Sequence, residues 1–167
     1  MKRQFSWVVA VLVLLALPAG PALAQQKLDA ELKGITTVGV VVEDLSSQAA
    51  ACGLKQDAIE TAASKILTDS GLKVVRNSDN DTYVYLNVQT TSLPTGLCVS
   101  RYDVYLYTHT TARLSYQAAP VLVQVSLIHE GGLAGGSAAG HGTSVVRSLM
   151  QYVDQVAGRI RRANASQ

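Results

Sequence analysis

The chain has 167 residues, of which 48% are hydrophobic and 16% charged, and its formal net charge is +2. This length is enough for one domain with one core, and so small a charge gives no support to a nucleic-acid-binding protein. The 3 histidines and 2 cysteines show none of the spacings of zinc motifs, so neither a metal nor another cofactor is expected.

The first 24 residues have the three parts of a secretory signal peptide. Charge at Lys2 and Arg3 precedes an apolar run over residues 7–17, and the small-x-small triplet 22–24 provides a cleavage site. The apolar run is about 11 residues long, whereas a membrane span needs about 20. The pattern therefore predicts residues 1–24 to be a cleaved signal and the mature protein to be periplasmic or extracellular.

Removal of this signal changes the charge of the chain. Loss of Lys2 and Arg3 reduces the lysines and arginines from 14 to 12, equal to the 12 acidic residues, so the formal net charge becomes zero. Because nucleic-acid binding relies on uncompensated cations, no nucleic-acid partner is expected. Every later apolar run is interrupted by charged, polar or glycine residues, so the mature chain is not expected to span a membrane.

In the first half of the mature chain, the β-branched run 35–42 is typical of a buried strand. Residues 55–70 repeat apolar side chains at helical spacing and predict an amphipathic helix. A short strand at 72–75 is followed by the turn formers of 77–81 and then by a strand at 82–93, which predicts a hairpin.

In the second half, strands 82–93 and 98–110 both alternate apolar with polar or tyrosine residues, so each has one face in the core. A further strand is predicted at 121–128. The segment 131–142 is so rich in glycine that an irregular connector is expected, followed by a long amphipathic helix capped by Thr143 or Ser144.

The element order β-α-β-β-β-β-α predicts an α+β fold, a two-layer sandwich with two amphipathic helices on one face of a mostly antiparallel sheet. Residues 25–34 are interpreted as a polar lead-in, 35–163 as a single α+β domain and 164–167 as a tail. At the level of the fold alone, this arrangement is similar to envelope modules such as TolB-like N-terminal domains and outer-membrane assembly lipoproteins. No stretch matches a family fingerprint, so no residue is assigned a role by that similarity.

Cys52 and Cys98 are predicted to form a disulfide, because paired cysteines in an exported chain are usually bonded. The predicted crossover places Cys52 and Cys98 at opposite ends of the sheet, too far apart for a bond that needs Cα atoms within about 7 Å. The bond therefore requires residues 45–54 to run back along the sheet before the helix begins.

The sheet face that carries no helices is the leading candidate for function. Tyrosine combines a rigid apolar ring with a hydroxyl and is enriched at binding surfaces, although it also simply favours strands. Alternation predicts that this open face presents Tyr83, Tyr85, Asn87, Gln89, Arg101, Asp103, Tyr105, Tyr107, His109, Gln124 and Ser126. The hypothesis is a non-enzymatic periplasmic binding or assembly module that contacts an envelope protein or a small ligand, with Tyr83, Tyr85, Arg101, Asp103, Tyr105 and Tyr107 as its binding residues.

The alternative is a small periplasmic hydrolase or ligand-binding protein that uses the glycine-rich loop 131–142. Free N–H groups at the start of the last helix attract anions, which makes weak candidates of His141, Gly142, Thr143 and Ser144. His129 and Glu130 are the acid-base candidates of this alternative. The spacing matches neither a phosphate-binding loop nor a nucleophile motif, so no catalytic residue is assigned.

Overall fold

The computed structural model describes residues 29–76 and 81–165, so the predicted signal peptide lies outside the described residues. A single 3-10 turn at Ala30–Leu32 comes before the regular elements. These are β1 Thr37–Val42, α1 Ser47–Ala51, α2 Gln56–Asp69, β2 Lys73–Arg76, β3 Thr82–Ser92, β4 Leu97–Ala112, β5 Val121–Ser137 and α3 Ala138–Ala165. Within the described ranges, no helix is both long and apolar enough to cross a membrane.

The five strands form one mixed sheet in the order β2-β1-β3-β4-β5. β1 is parallel to both β2 and β3, whereas β3–β4 and β4–β5 are antiparallel. The α+β class is confirmed, but the prediction of a mostly antiparallel sheet is wrong. The predicted hairpin between 72–75 and 82–93 is also wrong, because β1 lies between those strands. The nearly continuous β-branched run of β1 is typical of a strand with a neighbour on each side.

The core lies between the sheet and the helices. Alternate residues of β3 and β4 point into it and are fully buried, among them Val84, Leu86 and Val104. The apolar stripe of α2 contributes Ile59, Ala63 and Leu67, and the stripe of α3 contributes Val145, Leu149, Val153, Val156 and Ile160. This packing is consistent with the predicted sandwich. The apolar residues that recur at helical spacing in the sequence are the ones that face the core.

The described part of the lead-in packs against α3. Leu32 is buried in the core, and the Asp29 carboxylate accepts from Nε and Nη2 of Arg159 at 2.8 and 2.7 Å. The Asn164 side chain bonds the backbone N–H of Gly34 and the carbonyl of Ile35. These contacts connect the residues before β1 to the last turns of α3.

The glycine-rich segment is not the irregular connector that composition predicts. β5 continues through it to Ser137, and every residue from Ile128 to Ser137 pairs with β4. Glycine is needed because β4 side chains pass close to the β5 backbone. A Cβ at Gly131 would lie 2.5 Å from Oδ1 of Asp103, and one at Gly132 would lie 2.8 Å from the Tyr102 hydroxyl oxygen.

The end of the same segment forms the start of α3. Ala139 and Gly140 depart from helical geometry, with φ of +91° at Gly140, and His141 and Gly142 are already buried. Thr143 and Ser144 lie inside the helix, so the prediction of either as its cap is wrong. The N–H of Gly142 donates instead to the Cys52 carbonyl at 3.0 Å.

The predicted disulfide is confirmed, with the Cα atoms of Cys52 and Cys98 separated by 6.1 Å. The expected conflict with the topology is absent because β3 is parallel to β1. The antiparallel β4 therefore starts at the end of the sheet where β1 stops, and α1 delivers Cys52 to that end. A path for residues 45–54 back along the sheet is not required.

We expect replacement of both cysteines, Cys52→Ala with Cys98→Ala, to lower the free energy of unfolding by about 4 kcal/mol, because the bond closes a long loop. Urea unfolding followed by circular dichroism measures this difference. A midpoint equal to that of the wild-type protein would show that the bond does not constrain the unfolded chain.

We expect Gly142→Ala to lower the free energy of unfolding by about 1–3 kcal/mol, because overpacking of a rigid contact has this cost. The added Cβ would lie 2.4 Å from the Gly53 carbonyl oxygen, a backbone atom that cannot rotate away. Gly136→Ala is the matched control, since its Cβ meets nothing within 4 Å. Equal unfolding midpoints for the two variants would contradict this account.

Candidate functional site

Strand register places every residue predicted for the open face on one side of the sheet. Tyr83 pairs with Tyr107 and Tyr85 with Tyr105, and the remaining matched pairs are Asn87 with Asp103, Gln89 with Arg101, Tyr107 with Ser126 and His109 with Gln124. A β-bulge opposite Leu106 and Tyr107 leaves Leu127 unpaired, and Leu127 packs against the core. The bulge thereby keeps Ser126 and His129 on the same open face.

Six rings form a continuous aromatic ladder across this face, namely His109, Tyr83, Tyr107, Tyr85, Tyr105 and His129. Neighbouring ring centroids along it lie between 4.1 and 6.2 Å apart. The closest contact is between Tyr105 and His129, whose planes are parallel within 1°. The tyrosines are half-buried against one another, and the Gln124 amide donates to the Tyr83 hydroxyl.

A charged cluster lies at the His129 end of the aromatic ladder. The Asp103 side chain is only 11% exposed, and its carboxylate is 2.9 Å from Nε2 of His129 and accepts from Nε of Arg101 at 3.0 Å. The Arg101 and His129 side chains themselves are exposed. Beside them is an open depression of about 350 Å³ lined by Arg101, Asp103, His129, Gly131, Gly132 and Leu133.

Hydrogen bonds to the Asp103 carboxylate hold the side chains of Arg101 and His129 in place, so the cluster forms a polar rim. An ionised carboxylate only accepts, so Nε2 of His129 carries the donated proton and Nδ1 is the other polar atom of the ring. The residues lining the depression include no serine, threonine or cysteine that could act as a nucleophile. The described residues contain no group of three or more side chains that could hold a metal ion.

The surroundings of Tyr107 on this face perturb the acidity of its phenol. Burial raises the pKa of Tyr107 above its ordinary value of 10.0, and the neighbouring Tyr105, Tyr83 and Asp103 raise it further. Each of these causes disfavours the phenolate. The centre of the aromatic ladder is therefore an environment in which a negative charge is poorly solvated.

The residues of the hydrolase alternative are not brought together. His129 is on the open face, whereas Glu130 follows it on the opposite face of β5 and pairs with Val104. His141 is buried, and its Nε2 is 2.8 Å from the Ser100 hydroxyl, which bonds Thr90 in turn. Among the anion candidates, His141 and Gly142 are buried and Thr143 and Ser144 are exposed.

Sequence reasoning missed the position of His129 in the aromatic ladder. The strand predicted at 121–128 ends one residue before His129, which makes His129 a strand terminus. The length of the alternating pattern at 98–110 was a usable signal, because a strand of that length needs a partner along its whole extent. Continuing the alternation from Ile128 would have placed His129, Gly131 and Leu133 on the open face.

No protein-family model and no curated protein matches the chain. Among solved structures it is similar to a PelC dodecamer from Paraburkholderia phytofirmans, at 14% identity and a TM-score of 0.39, over 77% of this chain and 87% of that chain. It is also similar to a minor lipoprotein from Acinetobacter baumannii, at 13% identity and a TM-score of 0.29, over 77% of this chain and 91% of that chain.

We expect the free energy of unfolding of Tyr107→Phe to decrease less steeply with rising alkaline pH than that of the wild-type protein. Because the pKa of Tyr107 is raised in the folded protein, the unfolded chain loses this proton first as pH rises above about 10. The free energy of unfolding of the wild-type protein should therefore fall more steeply over that range than that of Tyr107→Phe. Urea unfolding at a series of pH values measures both slopes.

The matched control is Tyr116→Phe, because Tyr116 is 80% exposed and lies outside the aromatic ladder. This variant should keep the wild-type slope. Parallel slopes for the wild-type protein and Tyr107→Phe would contradict the perturbed acidity of Tyr107.

Proposed function

We propose that the protein is exported to the periplasm and acts as a non-enzymatic binding or assembly module through its open sheet face. The observation that carries this proposal is the aromatic ladder, which runs across β3, β4 and β5 on the side opposite the core. Stacked rings provide rigid contact area at little cost in conformational entropy, and their hydroxyls can orient a partner through hydrogen bonds.

The charged cluster at the end of the ladder supports the same function. Its Asp103 carboxylate is satisfied by Arg101 and His129, so it needs no ligand to compensate it. The exposed guanidinium and imidazole then form a polar rim beside an aromatic centre. An apolar or aromatic centre with a polar rim is the usual anatomy of a protein interface.

The shape of the face favours a protein partner over a small ligand. Small molecules bind in concave pockets that cover most of their surface. The depression of about 350 Å³ beside His129 is open, and the ladder itself is a sheet surface. Export is supported by the predicted signal peptide at 1–24, and the Cys52–Cys98 disulfide is compatible with an oxidising compartment.

The test compares capture of envelope proteins by the full chain and by a ladder variant. Tyr85→Ser, Tyr105→Ser and Tyr107→Ser together should weaken partner binding by about a hundredfold or more, because single tyrosines at interface centres commonly contribute at least 1–2 kcal/mol each. Each protein carries the same C-terminal tag and is recovered after export. Quantitative mass spectrometry of the cross-linked partners gives the ratio of the amount captured by the full chain to the amount captured by the ladder variant.

The control is Tyr116→Ser, which removes an exposed tyrosine outside the ladder and should leave capture unchanged. Thermal unfolding of all three proteins separates lost binding from lost folding. Unchanged capture by the folded ladder variant would refute the role of this face. Recovery of the full-length chain in the cytoplasm with residues 1–24 intact would refute export.

A further inference from the structure

The outer edge of β5 is a second surface of the molecule, distinct from the aromatic ladder. β5 is the last strand of the sheet, and among the described strands it pairs with β4 alone. An edge strand presents a row of backbone donors and acceptors that can pair with another chain. The opposite edge, β2, has 4 residues, whereas β5 has 17.

Natural proteins usually protect such an edge with lysine, proline, a bulge or a covering element. The bulge of β5 lies at Leu127, and the strand after it, residues 128–137, contains no lysine, arginine or proline. The only acidic residue there is Glu130. The stretch between the bulge and the start of α3 is therefore regular strand without lysine, arginine or proline, and the Tyr152 hydroxyl of α3 covers one of its carbonyls, that of Gly131.

An exposed apolar residue lies near the middle of this segment. Leu133 is 75% exposed on the open face, and Val99 on β4 is 42% exposed because it is paired with Gly135, which has no side chain to cover it. Leu97 is exposed on the same face. The hydroxyl of Tyr152 donates to the Gly131 carbonyl at 3.1 Å, and the second lone pair of that carbonyl can accept another donor.

We propose that this edge pairs with the same edge of a second copy of the chain, antiparallel and with Leu133 opposite Leu133 on a two-fold axis. The pairing spans residues 129–137 and joins the two sheets into one. This inference goes beyond the proposed function and does not rest on it, since it concerns the backbone edge of β5, which shares only His129 with the aromatic ladder.

The sequence of the segment is complementary to itself in this register. Gly131 of one copy meets Gly135 of the other, His129 meets Ser137, and Glu130 meets Gly136. No two like charges are opposed, and no large side chain obstructs another except the central leucine pair, which is apolar on both sides. Closed two-fold pairs are the commonest form of homo-oligomer. These features favour a second copy over an unrelated peptide.

The pairing has a consequence for the open face. An antiparallel pair with its two-fold axis perpendicular to the sheet keeps the open faces of both copies on the same side. Two aromatic ladders would then lie side by side on one continuous surface. A partner with two matching sites would be held by both copies, and its binding would be strengthened by effective concentration.

The experiment is sedimentation velocity of the full chain, recovered after export, at concentrations from about 1 µM to about 500 µM, because a single strand pair is smaller than a standard interface and binds weakly. The wild-type protein should change from monomer to dimer over this range. Leu133→Lys should raise the dissociation constant by about tenfold or more, since like charges opposed across a strand pair are destabilising.

The matched control is Leu122→Lys, which changes a leucine of similar exposure, 73%, on the same strand but before the bulge. It should leave the dissociation constant unchanged. A second measurement tests the register: oxidised Leu133→Cys should form a covalent dimer, because opposed residues of a strand pair lie within the Cα distance of a disulfide, and Leu122→Cys should not.

A wild-type protein that stays monomeric at every concentration would overturn the proposal and leave the edge to a different partner. A dimer that Leu133→Lys does not weaken, or that Leu122→Lys weakens equally, would also overturn it. Because loss of the aromatic ladder leaves Leu133 in place, the ladder variant should still dimerise, so failure of the proposed function and failure of this inference are distinguishable.

Discussion

The structure depends on the register of β4, which pairs with a neighbour on each side along most of its length. Its alternate side chains form both surfaces of the sheet, with Val104 and Leu106 in the core and Tyr105 and Tyr107 in the aromatic ladder. A slip of one residue would exchange the two sets, burying tyrosine and exposing valine and leucine. The hydrophobic core and the candidate binding face are therefore products of one register.

A disulfide and buried hydrogen bonds hold this register at the start of β4. Cys98 is bonded to Cys52, and the buried Ser100 hydroxyl joins Thr90 on β3 to His141 on α3. A buried hydroxyl without partners would be costly, so this chain of bonds is satisfied only when all three elements are in place. The histidine that sequence reasoning offered as an anion ligand is thus part of the structural core.

Features set by local periodicity could be predicted from the sequence, whereas features set by pairing between distant segments could not. Alternation in residues 82–93 and 98–110 was sufficient to place the tyrosines on one face, because period two is a property of the strand itself. The predicted hairpin between 72–75 and 82–93 was wrong because no local signal shows that β1 lies between β2 and β3. The prediction of an irregular connector at 131–142 was wrong because a high glycine content is usually a sign of flexibility. In this strand Gly131 is needed because a Cβ there would clash with the Asp103 side chain.

Gly131 connects the features of β5 on which the two proposals rest. Because it has no side chain, the Asp103 carboxylate lies over the β5 backbone and bonds Nε2 of His129, whose ring then stacks on Tyr105. An alanine at this position would displace Asp103, and the last ring of the aromatic ladder would lose its hydrogen-bonded support. The same lack of side chains leaves the strand edge open to another backbone. The glycines of β5 therefore shape both the end of the candidate binding face and the strand edge beside it.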